Sequence, residues 1–199
     1  MDEQEFTSRV ATLVGETSDV EFKGPSTLDE VKWQVIRATL AMSNRRNGGL
    51  VVIGVDEVHH QLKWNGLTPS QAATWIPDHF ADLVAVYADP SVECHVESVT
   101  FQGKTFVTVE VVEFDTVPIV CKRDGNGLRE GAIYVRPRRK PESVEIPTAA
   151  DARDLLELAS EKLTRRLLGT AERVGLVSPS PPLPGDQARF DSQISDLLQ

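Results

Sequence analysis

Apolar residues recur at helical spacing at Phe6, Val10, Leu13 and Val14, and Gly15 follows them, which predicts a first helix closed by a glycine cap. The period then drops to two: in Asp19-Val20-Glu21-Phe22-Lys23 charged and apolar residues alternate, the mark of a half-buried strand with Asp19, Glu21 and Lys23 on one face. Gly24-Pro25 ends that strand. Ser26 and Thr27 each have an acid three residues on, a capping pattern that opens a helix with its apolar stripe at Val31, Val35, Ala38 and Met42 and its end near Ser43. Asn47-Gly48-Gly49 then turns the chain into Leu50-Val51-Val52-Ile53-Gly54-Val55, a run apolar on both faces that predicts a buried central strand ending at Asp56-Glu57.

Residues His59 to Gly66 read as a hairpin or loop, and Ile76, Phe80, Leu83, Val84 and Tyr87 mark a second amphipathic helix. Strands are expected around Val92–Val96 and Thr105–Val112, with a tip at Gly103-Lys104. A strand pair is expected between Ile119–Lys122 and Ala132–Arg136, around the loop Asp124-Gly125-Asn126-Gly127, with Tyr134 and Arg136 on one face. Thr148 and Asp151 cap a last helix carrying Leu155, Leu156, Ala159, Leu163 and Leu167, expected to run to about Leu168. The Pro-rich stretch Ser178–Gly185 suits neither helix nor sheet. It reads as a stiff spacer leading to Ile194, Leu197 and Leu198, a short apolar segment suited to docking a partner protein through residues 178–199. The division expected is a domain over residues 1–170 and a Pro-rich linker with a terminal segment over 171–199.

Charge changes this picture locally. The chain has 30 Asp and Glu against 21 Lys and Arg, a net of −9, so the overall balance does not advertise a polyanion binder. Between Lys122 and Lys140, however, seven cations (Lys122, Arg123, Arg129, Arg136, Arg138, Arg139 and Lys140) face only Asp124 and Glu130. The two cysteines, Cys94 and Cys121, sit in strand-like stretches without ligand spacing and read as buried free thiols. The acidic start Met1–Glu5 is unlike a signal peptide, and no apolar run approaches the ~18 residues of a membrane span, so a cytoplasmic protein with no membrane partner is expected.

Four pieces in order carry a resemblance: Glu16 with Glu21-Phe22-Lys23; Asn47-Gly48-Gly49 leading into Ile53-Gly54-Val55-Asp56; Trp64-Asn65-Gly66-Leu67; and Gly131-Ala132-Ile133-Tyr134-Val135-Arg136. Over roughly residues 10 to 160 the chain resembles the Schlafen-like AlbA domain family, described as DNA-binding or ATP-binding. The resemblance implies an α+β fold, a mixed β-sheet with packed helices, here followed by the Pro-rich tail. In the Schlafen ribonucleases two glutamates and an aspartate form an acidic triad. The resemblance nominates Glu16, Glu21 and Asp56 for those places, as ligands of Mg²⁺ or Mn²⁺. Those enzymes clamp RNA between two related lobes, whereas this chain holds one; a homodimer would restore the clamp.

Carboxylates suit that chemistry, because a hard divalent cation must be held by oxygens while positions stay open for substrate and water. The structural alternative is that Glu16 and Glu21 are solvent-facing strand residues and Asp56 caps a turn. Lys23 either contacts a scissile phosphate, as a fourth catalytic residue, or pairs with Glu21 or Asp19. Arg45, Arg46, Arg136, Arg138, Arg139 and Lys140 are candidates to track a phosphate backbone, with Tyr134 for base stacking. The Walker pattern is absent, so Gly48-Gly49 reads as a tight turn. His59 and His60 read as loop residues, and Trp33, Trp64 and Trp75 as structural. The leading expectation is a metal-dependent endoribonuclease acting on structured RNA such as tRNA, with RNA favoured over DNA. The alternatives are a non-catalytic nucleic-acid-binding or regulatory module, and a subunit that recruits a partner through its tail.

Overall fold

The computed structural model describes residues 1–58, 61–137 and 140–176. The chain divides into a compact unit, Met1–Leu163, and a second unit from Thr164 to Gln199. The first unit is α+β. Its centre is a four-stranded mixed sheet in the order β1-β2-β7-β6, built from β1 (Val20–Lys23), β2 (Gly49–Ile53), β6 (Cys94–Phe101) and β7 (Lys104–Val111). β1 runs parallel to β2, with Glu21 beside Val51 and Lys23 beside Ile53; the other pairings are antiparallel. Every residue of β2 is buried, as its unbroken apolar run requires.

Alternate residues of β2 serve two cores. Leu50 and Val52 join Phe6, Val10, Phe22, Phe101 and Phe106, while Val51 and Ile53 join Val35 and Ile36 of α2 (Leu28–Ser43) and Phe80 and Val84 of α4 (Pro77–Ala85). Side chains at parallel partners project to the same face. Glu21 and Lys23 therefore lie on the α2 side of the sheet, at its edge. α2 opens on the predicted capping box, with Thr27 and Glu30 bonding reciprocally. The turn before β2 places Asn47 and Gly48 at φ 67° and 65°. Gly48 is required there, because a Cβ would strike the Val111 carbonyl.

Several expectations need adjustment. The first helix is short: α1 (Glu3–Phe6) continues as one π-helical stretch, Thr7–Ala11, and ends before Gly15, leaving Val14 89 % exposed. The apolar run of β2 breaks at Gly54, φ 111°, where the chain passes the Phe106 ring and starts the hairpin β3 (Val55–Val58) and β4 (Gln61–Trp64). His59 and His60 lie outside the described residues. A short helix, α3 (Pro69–Ala72), follows the hairpin. The expected pair around residues 124–127 is a looser arrangement. β8 (Val120–Cys121) pairs with β5 (Ala88–Asp89), and β9 (Tyr134–Val135) with β10 (Val144–Glu145). Backbone bonds from Cys121 to Ala132 and from Gly131 to Cys121 still tie the two segments together.

The last helix, α5 (Ala149–Arg173), outruns its predicted end because Gly169 is accommodated within it; Gly175, at φ 73°, provides the terminating left-handed residue. Trp64 packs edge-on against Phe6, Phe22, Phe101 and Phe106, Trp75 donates its indole N–H to the Ser26 carbonyl, and Trp33 meets Tyr87. All three tryptophans are structural. No helix among the described residues is long and apolar enough to cross a membrane. The Pro-rich tail at 178–199 lies outside the described residues.

Candidate functional site

β1 is an edge strand, and an edge strand presents backbone N–H groups that need partners. Here the lead-in supplies them: the Thr17 hydroxyl accepts from Val20 N–H at 3.1 Å and Glu16 Oε1 accepts from Phe22 N–H at 3.0 Å. Burial is the main cause that raises the Glu16 carboxyl above its ordinary range, and the neighbouring Glu21 charge adds to it; the Phe22 bond, Lys23 and Arg136 oppose the rise. Glu16 thus braces the edge of the sheet with one oxygen while sitting among charges.

Glu21 is only 6 % exposed and Arg136 5 %. Arg136 Nη1 donates to Glu21 Oε2 and, at 3.2 Å, to the Ser143 hydroxyl, which itself donates to Glu21 Oε2 at 3.3 Å. Arg136 Nε donates to the Ser18 carbonyl at 3.1 Å; Nη2 donates to the carbonyls of Thr17 at 2.9 Å and Pro141 at 2.8 Å. All five N–H groups of the guanidinium have acceptors. The other carboxylate oxygen of Glu21 is 2.6 Å from Lys23 Nζ, so Lys23 forms the ion pair with Glu21. This cluster latches the segment after β9 onto the edge of the main sheet.

Asp56 belongs to a different set of contacts. Its Oδ2 accepts from Asn65 Nδ2 at 2.6 Å, and its Oδ1 rests against Gly24, where a Cβ would collide with it. Asn65 thereby joins the two strands of the β3–β4 hairpin. On β3 the alternating partner Glu57, not Asp56, lines a cleft of about 530 Å³ together with Glu16 and Glu142. The donor set does not fit Mg²⁺ or Mn²⁺: both Glu21 oxygens hold cationic side chains, Glu16 and Asp56 each commit an oxygen elsewhere, and among the described residues no three acidic, His or Cys side chains come together to hold a metal.

The nominated phosphate contacts separate sharply. Arg136 is buried, with every N–H of its guanidinium already donated within the protein. Tyr134 is buried too, and its hydroxyl accepts from Arg129 N–H at 2.9 Å and donates to the Gly127 carbonyl. Arg45 bonds the carbonyls of Arg46 and Gly48, both at 3.0 Å, and the Ser18 hydroxyl at 3.2 Å, which fixes its own turn. Arg46 pairs with Glu161 at 2.5 Å. Both arginines line a cleft of about 420 Å³ together with Arg136 and the acids Asp151, Asp154 and Glu157, so its lining carries both signs of charge. Arg129 is tied to Glu145. Lys122, Arg123 and Lys140 are exposed; Arg138 and Arg139 lie outside the described residues.

Sequence reasoning missed Ser143 and the carbonyls of Thr17, Ser18 and Pro141. Nothing in local periodicity marks these acceptors, two of which, the carbonyls of Thr17 and Ser18, lie more than a hundred residues from the guanidinium they bind.

No curated protein matches the sequence. Among solved structures, the DIP2311 protein from Corynebacterium diphtheriae is similar at 12 % identity and a TM-score of 0.47, over 72 % of this chain and 26 % of that one, so this chain spans about a quarter of its length. The N-terminal domain of a RecG-related protein from Nitrosomonas europaea is similar at 20 % identity and a TM-score of 0.45, over 65 % of this chain and 88 % of that one. The family model described as Schlafen, AlbA_2 matches residues 16–145, which take in β1 through β10 and the whole Glu21–Arg136 latch, and the chain belongs to that family.

Proposed function

We propose that this chain is a non-catalytic nucleic-acid-binding module, with RNA as the preferred ligand, whose buried Glu21 and half-buried Glu16 and Asp56 brace the fold and whose exposed cations between Lys122 and Lys140 grip the phosphate backbone. The observation that carries the reading is the division of labour within one basic segment. Arg136 is spent on Glu21 and on four further acceptors, which anchors the segment to the sheet, while Lys122, Arg123 and Lys140 stand exposed on it. Arg138 and Arg139 add charge to the same stretch by sequence. Phosphate contacts of this kind are sequence-tolerant and strongly salt-dependent.

The competing reading, a metal-dependent endoribonuclease on structured RNA such as tRNA, requires Glu21 to exchange Arg136 and Lys23 for a cation. The test is fluorescence anisotropy of a labelled structured RNA and a DNA duplex over a salt series, with the wild type and with Lys122→Ala/Arg123→Ala/Lys140→Ala. Each phosphate contact removed should flatten the dependence of log K on log salt by roughly one unit. An unchanged slope in the triple variant would remove these cations from the interface, and tighter binding of DNA than RNA would reverse the ligand preference.

A further inference from the structure

We propose that α5 is a self-association element, through which two copies of this chain pair along a helical seam. The large apolar residues that stand exposed are concentrated on α5 and the turn after it: Leu156, Leu163, Leu167, Leu168, Val174 and Leu176. Four of them have heptad spacing. Leu156, Ser160, Leu163, Leu167, Thr170 and Val174 follow one another at intervals of four, three, four, three and four residues, the alternation of d and a positions in a coiled coil. The leucines and the valine of this series are 63 %, 48 %, 61 % and 63 % exposed. Leu168 and Leu176 lie off the seam.

The seam is separate from the face of α5 that packs on its own domain. That face carries the buried Leu155 and Leu158 and the partly buried Ala159, with Lys162 paired to Glu113 at 3.2 Å and set over the Phe114 ring at 5.3 Å. At about 100° per residue the seam lies roughly a third of a turn round the helix from it. Leu156 to Val174 spans about 27 Å at ~1.5 Å per residue, long enough for six successive layers. Gly169 falls at an outward position, and the helix runs unbroken to Arg173.

A second copy is the occupant that fits this pattern. The series reads apolar, hydroxyl, apolar, apolar, hydroxyl, apolar, and it is the same in both directions. In a parallel pair each layer meets itself. In an antiparallel pair Leu156 meets Val174, Ser160 meets Thr170 and Leu163 meets Leu167, so hydroxyl layers face hydroxyl layers and apolar layers face apolar ones in either case. A partner of unrelated sequence has no such built-in match. The seam contains none of the residues assigned to phosphate binding, so this inference stands apart from that reading.

Sedimentation velocity of the full chain over a micromolar concentration series tests it. The wild type should show a concentration-dependent dimer. Leu163→Glu/Leu167→Glu should raise the dissociation constant by more than about 100-fold while leaving circular dichroism and melting of the dilute protein unchanged, because both positions are exposed in the monomer. Ser160→Leu, which replaces a hydroxyl layer by an apolar one, should tighten the dimer by on the order of tenfold. A wild type that stays monomeric throughout overturns the proposal, as does a dimer indifferent to the double substitution. Should the double variant misfold, Ser160→Leu decides: association that is unchanged or weaker overturns it. Lowered melting of a monomeric wild type on double substitution assigns the stripe to another segment of the same chain, which also overturns it.

Discussion

Arg136→Ala should unfold the protein more readily rather than release nucleic acid selectively. The substitution removes five donated hydrogen bonds and one member of a buried ion pair, leaving Glu21 with Lys23 and Ser143 and leaving the carbonyls of Thr17, Ser18 and Pro141 without their donor. Removing one partner of a buried pair costs about 3–5 kcal/mol, because an uncompensated charge stays behind. For a chain of this size each kcal/mol moves the melting temperature by roughly 2–4 °C, so a loss on the order of 10 °C is expected. Urea denaturation and thermal melts followed by circular dichroism measure both. A cycle with Glu21→Gln adds a sharper check, since the double variant should lose less than the sum of the two single losses. A melting loss of only a degree or two, combined with weaker RNA binding and a flatter salt slope, would refute the latch and restore Arg136 to the phosphate-binding surface.

The same reasoning extends to other positions. Glu16 has a raised carboxyl pKa in the folded state, so its contribution to stability is fully present below the ordinary carboxylate range and is lost as pH rises through the raised value. Glu16→Gln, which keeps an acceptor for Phe22 N–H, should therefore gain on the wild type between mildly acidic and neutral pH in urea titrations; a constant difference would contradict the assignment. Gly48→Ala should cost more than about 2 kcal/mol in the same assay, because a side chain at positive φ would also meet the Val111 carbonyl. Burial, and secondarily Glu93, pushes the Cys94 thiol up to about 11, so Cys94 should alkylate slowly with iodoacetamide at pH 8 in the native protein and rapidly in urea.

The local features of the fold were legible because their causes are local. Thr27 with Glu30 announces α2, Gly48 announces the turn, the β-branched run announces a buried β2, and Gly103 marks the tip between β6 and β7. The site was legible only in part. Alternation in β1 correctly groups Glu21 with Lys23 but cannot reveal whether that face meets water. Arg136 and the stretch around Pro141 and Ser143 cover it, and their approach is a matter of topology. Exposure of a cation is equally invisible to composition, since Arg136 and Lys140 belong to one basic run and have opposite surroundings. The resemblance groups Asp56 with the acids of β1, yet the positive φ at Gly54 redirects the chain into the hairpin, where Asn65 takes the carboxylate.

The central claim, that Glu21 is a structural acid within a binding module, is tested most directly by incubating a labelled structured RNA with the full chain and Mn²⁺, with and without chelator, alongside Glu21→Gln. The account predicts retarded RNA and no chelator-sensitive product from either protein. A product that needs Mn²⁺, disappears with chelator and is lost in a folded Glu21→Gln variant would contradict it.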